Sequence, residues 1–310
     1  MPAVGQPTLD QLRVFLAIVE TGSFSAAARK LNRRQSVISY TVASLEAQLG
    51  GLTLFDRRTR RPRLTEAGGA ILADARRLAF DADALQARAR GMVAGLEAEV
   101  AVAIDVMLPT ARLVAALAGF RERFPTVTLR LYVEALGAVA RLVLDRTCGI
   151  GVSGPMVIAP DELTMRPIGH VLMLAVAAPG HPLARLPAPV PLEAVRDHVQ
   201  IVVTDRSELT RGQDFAVLSP HTWRFADLGA KHALIRQALG WGHMPEPMVR
   251  DDLGAGRLVR LQIADRPDHR YGLQALCRAD RNPGPASAWL LDALAGSGAD
   301  EDLGADVTDA

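Results

Sequence analysis

Between Ser23 and Thr65 the chain runs through a short Ala-rich helical stretch, a turn, a second amphipathic stretch and an arginine-studded loop. In SFSAAARKL (Ser23 to Leu31), Ser23 is placed to cap a first turn, and Ala27, Ala28 and Leu31 make a small, flat apolar face at helical spacing. Small residues let two helices cross closely. After Asn32, QSVISYTVASLEAQLG (Gln35 to Gly50) puts Ile38, Val42, Leu45 and Leu49 on one stripe and ends on a glycine suited to the left-handed position after a helix. With that stripe turned inward, Gln35, Ser36, Ser39 and Tyr40 share the opposite, N-terminal face. Residues at the start of a recognition helix are the ones a helix-turn-helix presents to base edges in the major groove.

The segment DRRTRRPR (Asp56 to Arg63) then places five arginines within eight residues. Arg57, Arg58, Arg60 and Arg61 are by composition a phosphate clamp. Residues 1–65 hold ten Lys/Arg against four Asp/Glu, a net of +6, whereas the whole chain is +1 and the remainder therefore carries −5. Cations that displace phosphate counterions supply much of the affinity for DNA, so this asymmetry describes a DNA-binding head on an acidic body. Almost all the positive charge is arginine. Lys30 and Lys231 are the two lysines, a bias read as codon usage in a GC-rich genome.

The N-terminal segment resembles the DNA-binding domain of the LysR-type transcriptional regulators. SFSAAARKL, the Gln-Ser-x-x-Ser opening of the next helix and the wing LFDRRTRRPRLTEAG carry the likeness, which extends to about Leu294. Two positions depart from the family's habit of a small hydroxyl before the glutamine and a basic residue after the second serine: they hold Arg34 and Tyr40. The departure predicts cationic contact at Arg33 and Arg34, with Tyr40 meeting a thymine methyl or a phosphate. The resemblance implies an α+β architecture in three parts. These are a winged helix-turn-helix over 1–65, a linker helix over 66–96, and a two-lobed α/β effector domain of periplasmic-binding-protein type over 97–295. Residues of about 98–160 and 268–295 form one lobe, and about 161–267 the other, with a small-molecule effector between them.

From Glu66 to Leu96 there is no proline, and Ile71, Ala75, Leu78, Ala82, Leu85, Ala89, Met92 and Leu96 recur at alternating spacings of four and three. A repeat of 3.5 residues predicts a coiled-coil seam and hence a homodimer, or a homotetramer built from two. Downstream, β-branched runs alternate with helical segments: VAVAIDV, a helix over Thr110 to Arg123, VTLRLYV, a helix over Ala138 to Leu144, GIGVSG, VLMLAVAA, VQIVV and a helix from about Gly229 to Leu239. This order predicts a mostly parallel sheet, with ligands beyond the carboxyl ends of its strands. Attention falls there on Met107 to Thr110, Glu134 to Gly137, Ser153 to Pro155, Thr204 to Ser207 and the helix entrance at Asp227. Thr110, Leu136, Thr204, Asp205 and Asp227 are the candidate effector contacts; Thr110 stands where relatives often place a ligand-touching hydroxyl and reads equally as a helix cap.

Enzyme chemistry finds little support. Neither G-x-S-x-G nor a P-loop is present, no cofactor is expected, and His221, His232 and His243 recur every eleven residues without the spacing of metal ligands. The glycines of LGWGHMP and LGAGRL read as turn and cap residues, Asp251-Asp252 as a solvated helix end, and Cys148 and Cys277 as buried packing. GSGADEDLGADVTDA is acidic and expected to be disordered. With no apolar run near the ~20 residues of a membrane span and no leader-like N-terminus, the chain reads as a cytoplasmic regulator of promoter DNA that responds to an effector and contacts RNA polymerase. The alternatives are an architectural DNA-binding protein whose body only oligomerises, and an enzyme carrying a DNA-binding appendage.

Overall fold

The computed structural model describes residues 6–56, 62–155, 161–204, 207–210 and 215–296. It divides into two compact units, Met1–Gly91 and Met92–Ala310. In the first, α1 (Leu9–Thr21), α2 (Phe24–Lys30) and α3 (Gln35–Gln48) form a three-helix head. The two short strands β1 (Phe55–Asp56) and β2 (Arg63–Leu64) then lead into α4 (Glu66–Val93).

Local chemistry sets each boundary. Thr8 and Gln11 make a reciprocal capping box on α1, and Gly22, at φ 66°, closes that helix in the left-handed region. Ser23 accepts from the Ala26 amide at 3.0 Å to start α2, and Asn32, at φ 52°, makes the turn into α3. Ala27 and Ala28 are buried, as are Ile38, Val42 and Leu45, which meet Val14, Phe15 and Ile18 of α1. Burying each large apolar side chain contributes about 1.5–3 kcal/mol. At the strand pair, Phe55 opposes Leu64, and α4 crosses so near that a Cβ on Gly68 would stand 2.3 Å from the Leu54 carbonyl oxygen.

The long helix does not use its apolar positions uniformly. Ala75 is buried and Ile71 half-buried against the head core, whereas Leu78, Leu85 and Met92 are 51%, 62% and 59% exposed. The helix ends at Val93, with a turn through Gly95 at φ 82°, so Leu96 lies off the predicted seam and packs into the core of the second unit.

The second unit is built on a curled mixed sheet in the order β10-β6-β11-β5-β3-β4, with β9 also on β6. Strand β3 (Glu99–Asp105) pairs in parallel with β4 (Thr128–Glu134) and β5 (Ile150–Ser153), and α5 (Thr110–Arg123) and α6 (Gly137–Leu144) connect them. The expected mostly parallel sheet gives way at β6 (Leu163–Ala177), which runs antiparallel to β11 (His269–Arg278) along nearly its whole length. The run VLMLAVAA is only the second half of β6. Its first half alternates buried Leu163 and Ile168 with exposed residues, a weaker apolar signal.

Strands β9 (Gly242–Pro245) and β10 (Val259–Arg260) attach to the second half of β6. Beside them, β7 (Gln200–Val203) pairs in parallel with β8 (Thr222–Phe225). Helices α7 (Leu192–Arg196), α8 (Leu228–Arg236) and α9 (Glu246–Gly254) complete this lobe, and α10 (Pro285–Ala295) returns to pack on α5 in the other. Among the described residues no helix is long and apolar enough to cross a membrane.

Two readings of single residues are corrected. Gly242 is a strand residue rather than a turn, and the site requires glycine because a Cβ there would stand 2.6 Å from the Ile201 carbonyl oxygen of the neighbouring β7 segment. Asp252 is buried rather than solvated: His232 Nε2 lies 2.6 Å from its Oδ2, and Arg257 Nε donates to its Oδ1. The Arg257 hydrogen bond, with that to His232, holds its carboxyl below the usual range. These contacts tie α8 to α9.

Candidate functional site

Two sites take shape, one in each unit. In the head, α3 turns its apolar stripe into the core, which leaves Gln35, Ser36 and Tyr40 exposed and Ser39 half-buried at its N-terminal end. Ser25 Oγ donates to Gln35 Oε1 at 2.9 Å, so a residue of α2 orients the amide at the start of α3. Arg34 occupies the N-cap position of α3 with extended backbone and no side-chain cap. Arg33 is differently employed. Its guanidinium donates to both carboxylate oxygens of Asp10, at 2.7 and 2.8 Å, and this pairing holds the Asp10 carboxyl below its ordinary range. The pair fastens the turn to α1. Arg57, Arg58, Arg60 and Arg61 lie outside the described residues, between the two strands of the wing.

In the second unit a cavity of about 50 Å³ lies where the two lobes meet. Met107, Leu136 and Tyr271 line it from the side of β3, α6 and β11, and Ile201, Val203 and Lys231 from the side of β7 and α8. His243 and His269 contribute their rings, 5.1 Å apart between centroids and nearly perpendicular.

Behind the first wall sits Asp105, 1% exposed at the end of β3. Its Oδ1 accepts from the Met107 amide at 2.8 Å; its Oδ2 accepts from the amides of Leu136 and Gly154, each at 3.2 Å, and from the Tyr271 hydroxyl at 2.9 Å. Burial outweighs these four donors and pushes the carboxyl up to about 6. The hub is tightly built: a Cβ on Gly154 would stand 1.8 Å from the Tyr271 hydroxyl oxygen, and Leu136 is held at φ 51°, a backbone strain of about 1–3 kcal/mol for a residue with a side chain.

The second wall holds Lys231, 4% exposed, whose Nζ donates to the His243 carbonyl at 2.6 Å. Burial lowers its ammonium to about 7. His243 is driven down to about 3 by burial, then by His269 and Lys231, and is therefore neutral at pH 7. Gln200 is committed to the fold: its Nε2 donates to Ala216 O at 2.8 Å, and its Oε1 accepts from the amides of Leu218 and Ser219.

Of the candidate effector contacts, Leu136 lines this cavity. Thr110 is exposed in the first turn of α5, where Pro109 rather than the threonine takes the N-cap position. Thr204 is half-buried just beyond β7, Asp227 caps α8 by accepting from the Ala230 amide at 2.9 Å, and Asp205 lies outside the described residues. Sequence reasoning passed over Lys231, His243, His269 and Tyr271. The available signal was Lys231 itself, one of two lysines in an arginine-dominated chain and placed within a predicted helix.

Burial raises both thiols, Cys148 to about 11, which keeps them protonated and weakly nucleophilic at neutral pH. Among the described residues no cluster of His, Cys, Asp and Glu is arranged to hold a metal ion.

Comparison with known proteins matches both units. Residues 9–69 match the family described as bacterial regulatory helix-turn-helix protein, lysR family, and residues 94–299 match the LysR substrate binding domain. The chain is 29% identical over 254 residues to the HTH-type transcriptional activator AllS of Klebsiella pneumoniae, covering 81% of this chain and 93% of that protein. It is 31% identical over 260 residues to the probable HTH-type transcriptional regulator YhaJ of Escherichia coli, covering 81% and 84%. Among solved structures, a mutant OxyR of Corynebacterium glutamicum aligns over 94% of this chain and 96% of its own, with a TM-score of 0.52 and 23% identity, which bears on the fold alone.

Proposed function

Since the chain belongs to the LysR family of transcriptional regulators, we propose that Gln35, Ser36, Ser39 and Tyr40 read base edges in promoter DNA and that occupancy of the interlobe cavity governs how the heads engage it. The observation that carries this reading is the division of α3 into a buried stripe and an exposed N-terminal face, with Ser25 orienting Gln35 from the preceding helix. Arg34 and the wing arginines Arg57, Arg58, Arg60 and Arg61 supply phosphate contacts, while Arg33 acts through Asp10 by setting the turn. An effector that prefers one arrangement of the lobes shifts DNA engagement by its difference in affinity between the two states. Contact with RNA polymerase, a dimer or tetramer as the working form, a cytoplasmic site of action and the absence of catalysis complete the proposal. The architectural alternative is disfavoured by a lobe junction that holds a cavity lined by a buried cation.

Gln35→Ala should weaken binding to a DNA site selected by the full chain by about 1–3 kcal/mol while leaving random-sequence DNA little affected, as titrated by fluorescence anisotropy. Equal losses on both DNAs remove Gln35 from base reading.

The exposed Leu78, Leu85 and Met92 of α4 are the face on which two copies meet. Leu85→Asp would bury an unpaired carboxylate in that seam, so the variant should sediment as a smaller species and give a shorter footprint. Unchanged sedimentation together with an unchanged footprint disproves the seam.

A further inference from the structure

We propose that the interlobe cavity is built for a small monocarboxylate, held by Lys231 as its counter-cation; the inference rests on the ligand-responsive reading above and names the chemical class of the ligand.

Lys231 is the charged side chain in the wall, and its burial is not explained by any ion pair. An ammonium has three N–H donors, of which one goes to the His243 carbonyl, and no carboxylate pairs with it among the described residues. Buried charges in folded proteins are paired or satisfied by other charged groups, since an isolated ammonium is expensive to take out of water. A ligand carboxylate is the partner that satisfies this rule here.

The other polar groups narrow the class. Tyr271 is spent on Asp105 and Gln200 on its own loop, while His243 and His269 have their pKa values lowered by burial and add ring nitrogens without a second positive charge. One cation among neutral rings and apolar walls fits a single negative charge. A second carboxylate would be buried beside Leu136, Ile201 and Val203 with no counter-charge. The space is sufficient for a small acid, since about 50 Å³ corresponds to roughly three to five waters at about 10–15 Å³ each. Lysine also suits the position better than arginine, which the chain uses almost everywhere else, because an ammonium here can shed its proton when no anion is present.

The test is calorimetric titration of the full chain at pH 8 with acetate, lactate and pyruvate, against acetamide as a neutral isostere and malonate as a dianion. The monocarboxylates should bind with proton uptake, read as a heat that depends on the ionisation enthalpy of the buffer, because pairing draws a proton onto Lys231. Acetamide and malonate should bind at least tenfold more weakly. Lys231→Met and Lys231→Gln should each lose at least tenfold in carboxylate affinity together with the proton uptake, while the thermal midpoint without ligand does not fall. If either variant fails to fold, the buffer dependence of the parent and the other variant decide.

No binding of any monocarboxylate by the parent, binding without proton uptake, or variants that bind as tightly as the parent each overturn the proposal. The underlying reading fails separately. If carboxylates bind through Lys231 but leave promoter affinity unchanged, the ligand class stands and the regulatory role does not. If a cationic or neutral compound alters promoter affinity while carboxylates do nothing, the regulatory role stands and the ligand class does not.

Discussion

Replacing Lys231 with methionine is expected to stabilise the ligand-free chain at neutral pH by up to about 4 kcal/mol, an unusual sign for a buried substitution. The lysine's ordinary value is 10.5, and burial brings it to about 7 in the folded chain. A lowered folded-state value means that the unfolded chain binds the proton more readily. The charging penalty is therefore absent above about 10.5, grows as pH falls toward 7, and is constant below that. Methionine keeps the unbranched shape beside Gly242, where a Cβ would stand 3.2 Å from the lysine Cε, and carries no charge. The stability difference between variant and parent, measured by urea denaturation at several pH values, should be largest at and below pH 7 and shrink toward pH 10. His243 sits in both proteins and largely cancels from the difference. Because the variant also loses the hydrogen bond to the His243 carbonyl, the decisive reading is the pH dependence: a difference that stays constant between pH 10 and pH 7 removes the buried-charge assignment.

Asp105→Ala should act in the opposite direction. Three backbone amides and the Tyr271 hydroxyl lose their acceptor at a site 1% exposed, and each buried donor left unsatisfied costs about 1–3 kcal/mol. A loss of at least ~3 kcal/mol is expected, with Leu136 released from its strained conformation and the first wall of the cavity loosened. Asp105→Asn keeps an acceptor oxygen and isolates the charge. Because the folded-state value is raised from 3.8 to about 6, the carboxyl favours the folded chain most at low pH. That advantage declines as pH rises from about 4 to 6 and is level above. Thermal midpoints of the Asn variant should therefore gain on the parent across this interval. A constant difference would mean that Asp105 does not titrate there.

The elements of the head were legible because their signals are local. Ser23, the Ala27-Ala28 pair and the Ile38, Val42, Leu45 stripe each act within one or two helical turns, and a side chain's face follows from spacing alone. Helix α5 was readable to the residue for the same reason, running from Thr110 to Arg123. The LysR resemblance extended this reading to the identity and order of the two units along the chain, which periodicity does not contain.

What the sequence determined by itself was therefore the kind and the buried face of the elements with strong local periodicity, α2, α3 and α5 among them, together with the DNA-binding charge of the first 65 residues. Tertiary structure alone decided which strands meet. It turned an expected parallel sheet into one crossed by antiparallel β6 and β11, buried Asp252 between His232 of α8 and Arg257 of the turn after α9, and moved Ile71 and Leu96 off a uniform seam onto two separate cores. The cavity belongs to the same class of fact. Tyr271 reaches Asp105 across 166 positions of sequence, and Lys231 meets His243 only because α8 and β9 both pack against β6. Pairing and burial across such separations depend on where the rest of the chain lies, and no window of neighbouring residues carries that information.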